Sequence, residues 1–190
     1  MSNQFEEFNT GNLQILFREL SERLQAKGLT AQLFVVGGAA MALAYDEQRV
    51  TRDVDALFEP ASEVRAIAEE VGERHGLEPD WLNDGAKGFM PGGDEFPRTV
   101  FESTSLLVQV PSPEYMLVMK LHAARGDRDL DDAAKLFNAS GFHDPQEALA
   151  LLERSYSPST LLTKHVYVVE EVAQRAALLR DHPRGPSATD

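Results

Sequence analysis

Between Asn12 and Ala26, the apolar residues Leu13, Ile15, Leu16, Leu20 and Leu24 recur at helical spacing, with polar residues at the positions between. This pattern predicts an amphipathic helix, ended by Gly28. Leu33-Phe34-Val35-Val36 is a short run of β-forming residues and predicts a buried strand. It stops at Gly37-Gly38 and gives way to the helix-forming stretch Ala39-Ala40-Met41-Ala42-Leu43-Ala44. Val50 to Phe58 predicts a second strand. Its period of two puts Asp53 and Asp55 on one face with Thr51 and Leu57, while Arg52, Val54 and Ala56 face the other way. Ser62 can cap a helix running to about His75, with Val64, Ile67, Ala68 and Val71 as its buried stripe and Gly76 as its stop.

Residues 83–98 are rich in glycine, include two prolines, and read as a mobile loop. Leu106 to Val110 predicts a third strand, ended by Pro111-Ser112-Pro113. Helices follow at Glu114–Arg125 and at about Asp129–Asn138, the latter with Leu130, Ala133, Ala134 and Phe137 as its apolar stripe. Two more are expected near Pro145–Glu153 and Pro158–Leu179, and Asp181–Asp190 reads as a frayed polar tail. Strands dominate the first half and helices the second. The expected organisation is an α+β or α/β domain over residues 1–112, a helical carboxy-terminal subdomain over 113–180 and a flexible tail over 181–190.

Composition narrows the chemistry. No apolar run approaches the roughly 20 residues that a membrane-crossing helix needs, so no membrane association is expected. The opening MSNQFEEFNT is too polar for a secretory signal, and a cytoplasmic location is expected. With no cysteine there is neither a disulfide framework nor a thiolate metal site. A net charge of -13 argues against broad nucleic-acid binding, which rests on clustered cations. It leaves small nucleotides carried with divalent metal fully open.

Two carboxylates one residue apart on a strand point the same way and can share or bridge divalent metal, and Mg²⁺ favours a few carboxylates plus substrate phosphate oxygens. A strand turning through Gly-Gly into a helix lets phosphate approach backbone N–H groups closely. Either feature alone is common as a solvated strand edge or a tight turn. Their order within one compact segment favours a functional role.

Val36-Gly37-Gly38 followed by Arg49-Val50-Thr51-Arg52-Asp53-Val54-Asp55 resembles the polymerase-beta-like nucleotidyltransferase signature, a glycine turn and then an Asp-x-Asp strand. The wider pattern is similar to AbiEii-type and related minimal nucleotidyltransferases, including toxins of toxin–antitoxin pairs. Pro113 to Arg125, containing Lys120, and Arg128-Asp129-Leu130-Asp131-Asp132 resemble their lysine helix and arginine-aspartate helix start. The likeness covers about residues 30–140. It implies a nucleotidyltransferase fold, a short mixed sheet flanked by helices.

The same resemblance implies transfer of a nucleoside monophosphate from an NTP with Mg²⁺ (or Mn²⁺). Asp53 and Asp55 would hold the metal, Gly37 and Gly38 would seat the phosphates with Arg52 nearby, and Lys120 would contact the triphosphate. Asp129 or Asp132 would complete the polar site or fix Lys120. A tRNA, a protein side chain or a small-molecule hydroxyl would accept the nucleotide, and a cognate antitoxin is a candidate partner. Ala39 stands where many relatives have serine, and Leu106–Val110 lacks a third carboxylate, Glu102 being the nearest candidate. The alternative is a catalytically silent nucleotide- or partner-binding protein of the same fold.

Other features have plainer readings. Lys120 lies among Leu117, Met119, Leu121 and Ala124, where an unpaired lysine would be costly. The charge run Arg125–Asp132 suits a solvated turn with Asp129 at a helix start. None of the five histidines has metal-ligand spacing. Trp81, ahead of Leu82-Asn83-Asp84, reads as core or as one wall of a nucleobase pocket. Lys87–Glu95 reads as a connection or a substrate lid.

Overall fold

A computed structural model of the chain describes residues 7–181. The polar tail expected at 181–190 therefore lies outside the described residues, apart from Asp181. Two compact units result. The first runs to Met90 and resumes over Asp94–Ser112; the second takes Pro91–Gly93 and the chain from Pro113 onward.

In the first unit a mixed five-stranded sheet has the order β3-β2-β1-β5-β4. Its strands are β1 (Ala31–Val35), β2 (Val54–Glu59), β3 (Leu82–Asn83), β4 (Arg98–Glu102) and β5 (Leu106–Val110). β1 pairs antiparallel with β2 and parallel with β5, whereas β3 adds to β2 in parallel and β4 to β5 antiparallel. Leu33 meets Phe58 on one side and Val108 on the other. These three belong to a buried face completed by Ala31, Val35, Val54, Ala56, Leu106 and Val110. Period-two patterning thus places one side of each central strand in the core.

Three helices accompany the sheet: α1 (Thr10–Ala26), α2 (Gly37–Ala44) and α3 (Ala61–His75). α1 packs on α3, α2 and β5, and α3 also touches β2 and β3. α1 starts earlier than expected because Asn9 and Asn12 form a reciprocal cap. Its buried stripe is Leu13, Leu16, Phe17, Leu20, Ser21 and Leu24; Ile15 lies off it and is 45% exposed. Ser62 does not cap α3. Pro60 occupies that position, and the Ser62 hydroxyl is hydrogen-bonded to Glu63 instead. Gly76 does end the helix, in the left-handed region at φ 66° that suits a residue without Cβ. Trp81 is core: its indole N–H donates to the Ala68 carbonyl at 2.9 Å, and its ring meets Phe8 edge-on.

Residues 83–98 contain more order than a mobile loop. β3 precedes a 3₁₀ turn at Gly85–Phe89, and Asp94 accepts hydrogen bonds from the Ser112 N–H (2.6 Å) and hydroxyl (2.8 Å). No helix among the described residues is long and apolar enough to cross a membrane.

The second unit is helical: α4 (Pro113–Ala123), α5 (Asp127–Ala139), α6 (Pro145–Ser155) and α7 (Lys164–Asp181). α5 packs on α4 and α7, and α6 packs on the same two. The single helix expected at Pro158–Leu179 is broken. A 3₁₀ turn occupies Pro158–Thr160, and α7 starts at Lys164, its first turn holding His165, whose ring accepts the Leu162 N–H at 2.9 Å.

The other ring nitrogen of His165, Nε2, lies 3.4 Å from the His122 carbonyl. His122 stacks between Tyr156 (centroids 4.1 Å apart) and His165 (5.4 Å). Burial, then His165 and Lys164, hold the His122 pKa below the ordinary histidine value, against a backbone hydrogen bond at Thr160. The unfolded chain therefore takes up this proton first as pH falls. The stability due to neutral His122 is fully present above about pH 6.5 and is lost as pH drops through its folded pKa. Melting temperature is expected to fall between pH 7.5 and pH 5, and to fall less in His122→Phe, which keeps a stacking ring without a titrating group.

Candidate metal–nucleotide site

Gly37 links β1 to α2 with φ 64°, a conformation in which a Cβ crowds the carbonyl. The turn also needs the space. A Cβ on Gly37 would lie 3.1 Å from Asp55 Oδ2, and one on Gly38 would lie 2.7 Å from Thr51 Oγ1. The Val36 N–H donates to the Asp55 carbonyl at 2.8 Å, continuing the β1–β2 register past the strand end. The glycine turn is thus cradled by the residues leading into β2. Gly37→Ala is expected to cost about 1–2 kcal/mol from the left-handed backbone alone, measured by urea denaturation.

β2 begins at Val54, so Asp53 lies immediately before the strand instead of within it. Inside the strand the alternation holds: Val54, Ala56 and Phe58 are buried, while Asp55 and Leu57 lie on the half-buried face. Asp53 is exposed, and the Thr51 hydroxyl approaches both its carbonyl (3.2 Å) and its Oδ1 (3.4 Å). Thr51 is itself fixed by a two-way bridge to Phe8, with N···O distances of 2.6 and 3.0 Å. Arg52 does not share the buried side of Val54; its side chain is 84% exposed, 3.7 Å from Glu7.

Residues outside the expected set also border the turn. Arg49 is half-buried, with Nη2 3.8 Å from the position of a Gly38 Cβ. Asn83 faces Asp55 across the parallel β2–β3 pair. Its Oδ1 accepts the Gly85 N–H at 2.9 Å, and a Gly85 Cβ would lie 4.0 Å from Asp55 Oδ1. Glu102 is not part of this arrangement, because β4 lies at the opposite sheet edge, separated from β2 by β1 and β5.

The donor chemistry fits a divalent cation carried by phosphate. Asp55 Oδ2 lies beside the Gly37 turn, and Thr51, which borders Gly38, also reaches Asp53. Among the described residues, no group of three or more His, Asp or Glu side chains comes together to hold a metal ion by itself. An open cavity of about 420 Å³ lies at the other end of β1, bordered by Thr30, Gln32, Glu59, Ser103 and Ser105. It has one carboxylate and no cation, which suits neither metal nor phosphate.

In the second unit, Lys120 is only 12% exposed and forms ion pairs with Asp132 at 2.9 Å and Asp129 at 3.0 Å. Burial depresses its pKa, but Asp132 and then Asp129 outweigh that and leave it above the usual lysine value. Asp129 stands in the first turn of α5 and also accepts the Arg125 N–H at 3.2 Å. Asp132 departs from the expectation of a solvated charge run: it is 3% exposed. Asp127 and Asp131 do face solvent, clamped to Arg175 at 2.7 Å each.

No curated protein matches the chain. Among solved structures it is similar to an antigenic nucleotidyltransferase-like protein from Paracoccidioides brasiliensis, at 14% identity over 93% of this chain and 91% of that one, with a TM-score of 0.38. The model of a family described as "nucleotidyltransferase of unknown function (DUF6036)" matches residues 11–138. That span is more than half of the 190 residues and contains the glycine turn, the aspartate pair and Lys120, and the chain belongs to this nucleotidyltransferase family.

Proposed function

We propose that the protein is a metal-dependent nucleotidyltransferase that binds an NTP with Mg²⁺ or Mn²⁺ at the Gly37-Gly38 turn and moves its NMP to an acceptor, releasing pyrophosphate. The observation that carries this is the left-handed Gly37 set against Asp55, where a single methyl group would meet a carboxylate oxygen at 3.1 Å. A backbone left bare beside an acid pair gives phosphate N–H donors and gives its metal an anionic seat.

Asp55 and Asp53 are the metal ligands in this reading, and Thr51 positions Asp53. Within the helical unit Lys120 pairs with two carboxylates, and it is the resemblance that assigns it to the triphosphate. Asp129 and Asp132 are its positioning residues. Arg52, exposed beside the pair, is free to swing toward phosphate oxygens. The acceptor is an RNA such as tRNA, or a protein side chain, and a cognate antitoxin fits the toxin-like resemblance.

Incubation with each α-labelled NTP, either metal and total tRNA, followed by gel and mass analysis, tests this. Metal-dependent label on a macromolecule with matching pyrophosphate is the expected result. NTP binding without pyrophosphate release under any metal would instead identify a silent nucleotide binder, a reading favoured by the lack, among the described residues, of any group of three acidic or histidine side chains that could hold a metal ion.

A further inference from the structure

The position beside Asp55 on the neighbouring strand belongs to Asn83, an amide. Because the Gly85 N–H can only donate, its 2.9 Å contact fixes the amide orientation: Oδ1, not Nδ2, points toward Gly85. Asn83 Oδ1 and Asp55 Oδ1 lie 2.9 and 4.0 Å from one point, the place a Gly85 Cβ would fill. Side-chain oxygens from two adjacent strands therefore both border the space that a Gly85 side chain would fill. The next acid in sequence is engaged elsewhere, since Asp84 Oδ2 lies 3.3 Å from Arg65.

We infer that Asn83 is the third oxygen of the cation site, a neutral one, and that its neutrality makes the protein take its divalent cation together with the nucleotide, as a metal–NTP complex, rather than as the bare ion. The inference rests on the reading of Asp53 and Asp55 as metal ligands. A site with two carboxylates and an amide offers one negative charge less than a three-carboxylate site, and affinity for hard cations follows ligand charge. Phosphate oxygens of the nucleotide supply the remaining charge. The Asn83 carbonyl has a second lone pair beyond the one engaged by Gly85, so it binds the cation without releasing the turn.

The test follows free Mn²⁺ by electron paramagnetic resonance, with and without the non-hydrolysable α,β-methylene analogue of each common NTP. Wild type is expected to bind Mn²⁺ at least about tenfold more tightly with a cognate analogue present. Asn83→Asp should tighten binding of Mn²⁺ alone by about tenfold, a gain lost in Asn83→Asp/Asp55→Ala. Asn83→Ala, which keeps the protein's charge, should weaken binding of the Mn²⁺–analogue complex by several-fold, and it decides the matter should the aspartate variant not fold. If both Asn83 variants stay within twofold of wild type while Asp55→Ala loses Mn²⁺, Asn83 is no ligand and only this inference falls. Should Asp55→Ala bind Mn²⁺ as wild type does, the proposed site falls with it.

Discussion

Asp55→Ala is expected to lower NMP transfer by about a thousandfold or more while leaving the circular dichroism and melting temperature close to wild type. Removing one preorganised charged group from the transition state of a phosphoryl-type transfer typically costs two to three orders of magnitude. Here the loss also removes a ligand of the metal that neutralises the leaving pyrophosphate. The fold should tolerate the change. Asp55 lies on the half-buried face of β2, while Val54, Ala56 and Phe58 carry the packing of that strand. Asp53→Ala should reduce transfer in the same direction, with even less effect on folding, because Asp53 is exposed and precedes the strand. Activity of Asp55→Ala at the wild-type level, assayed with labelled NTP and Mg²⁺, would remove Asp55 from the chemistry.

Asp132→Ala is expected to destabilise the helical unit by about 3 kcal/mol, the low end for a broken buried ion pair, because Lys120 keeps only its more exposed partner Asp129. Asp132 is 3% exposed and pairs with Lys120 at 2.9 Å, and Lys120 is itself 12% exposed. Asp129→Ala should cost less, because its carboxylate is 34% exposed and the Lys120–Asp132 contact survives. The double variant Lys120→Met/Asp132→Leu should recover most of the loss, since buried ion pairs are often replaceable by apolar side chains of similar volume. Urea unfolding of the three variants distinguishes this from a surface pair, for which all of them would lie within about 1 kcal/mol of wild type. Stable double-variant protein without transfer would tie the Lys120–Asp132 pair to activity as well as to the fold.

Much of this was visible in the order of residues. β1 and β5 are runs of β-branched and apolar residues, and the Gly37-Gly38 stop between β1 and α2 marks a turn that only glycine serves well. Asp55 and Leu57 obey the strand alternation, and Lys120 among apolar neighbours correctly signalled a need for anionic partners. Other features depended on contacts that local pattern does not encode. β3 is two residues long, and β4 is an edge strand whose Arg98, Thr99 and Glu102 are exposed, so neither carries an apolar signal. The start of β2 is set by the Phe8–Thr51 bridge, which joins segments far apart in the chain and leaves Asp53 outside the strand.

Asn83 could be placed beside Asp55 only once the β2–β3 register was known. The strand at Leu106–Val110 neighbours β1 and not β2, so none of its residues pairs beside Asp55. Asp132 reads as solvated within its charge run, and burial becomes intelligible only when Lys120 is placed against it.

The central claim, that metal and nucleotide meet at the Gly37-Gly38 turn beside Asp55, is open to a direct spatial measurement. In a ¹⁵N-labelled sample, Mn²⁺ added with a non-hydrolysable NTP analogue broadens the amide signals nearest the bound ion. Early loss of the Gly37, Gly38, Asp55 and Gly85 signals is expected, and their retention in Asp53→Ala/Asp55→Ala. Broadening centred instead on the solvent-facing acids Asp127, Asp131 and Glu171 around Arg175, with the Gly37 and Asp55 signals unchanged, would contradict it.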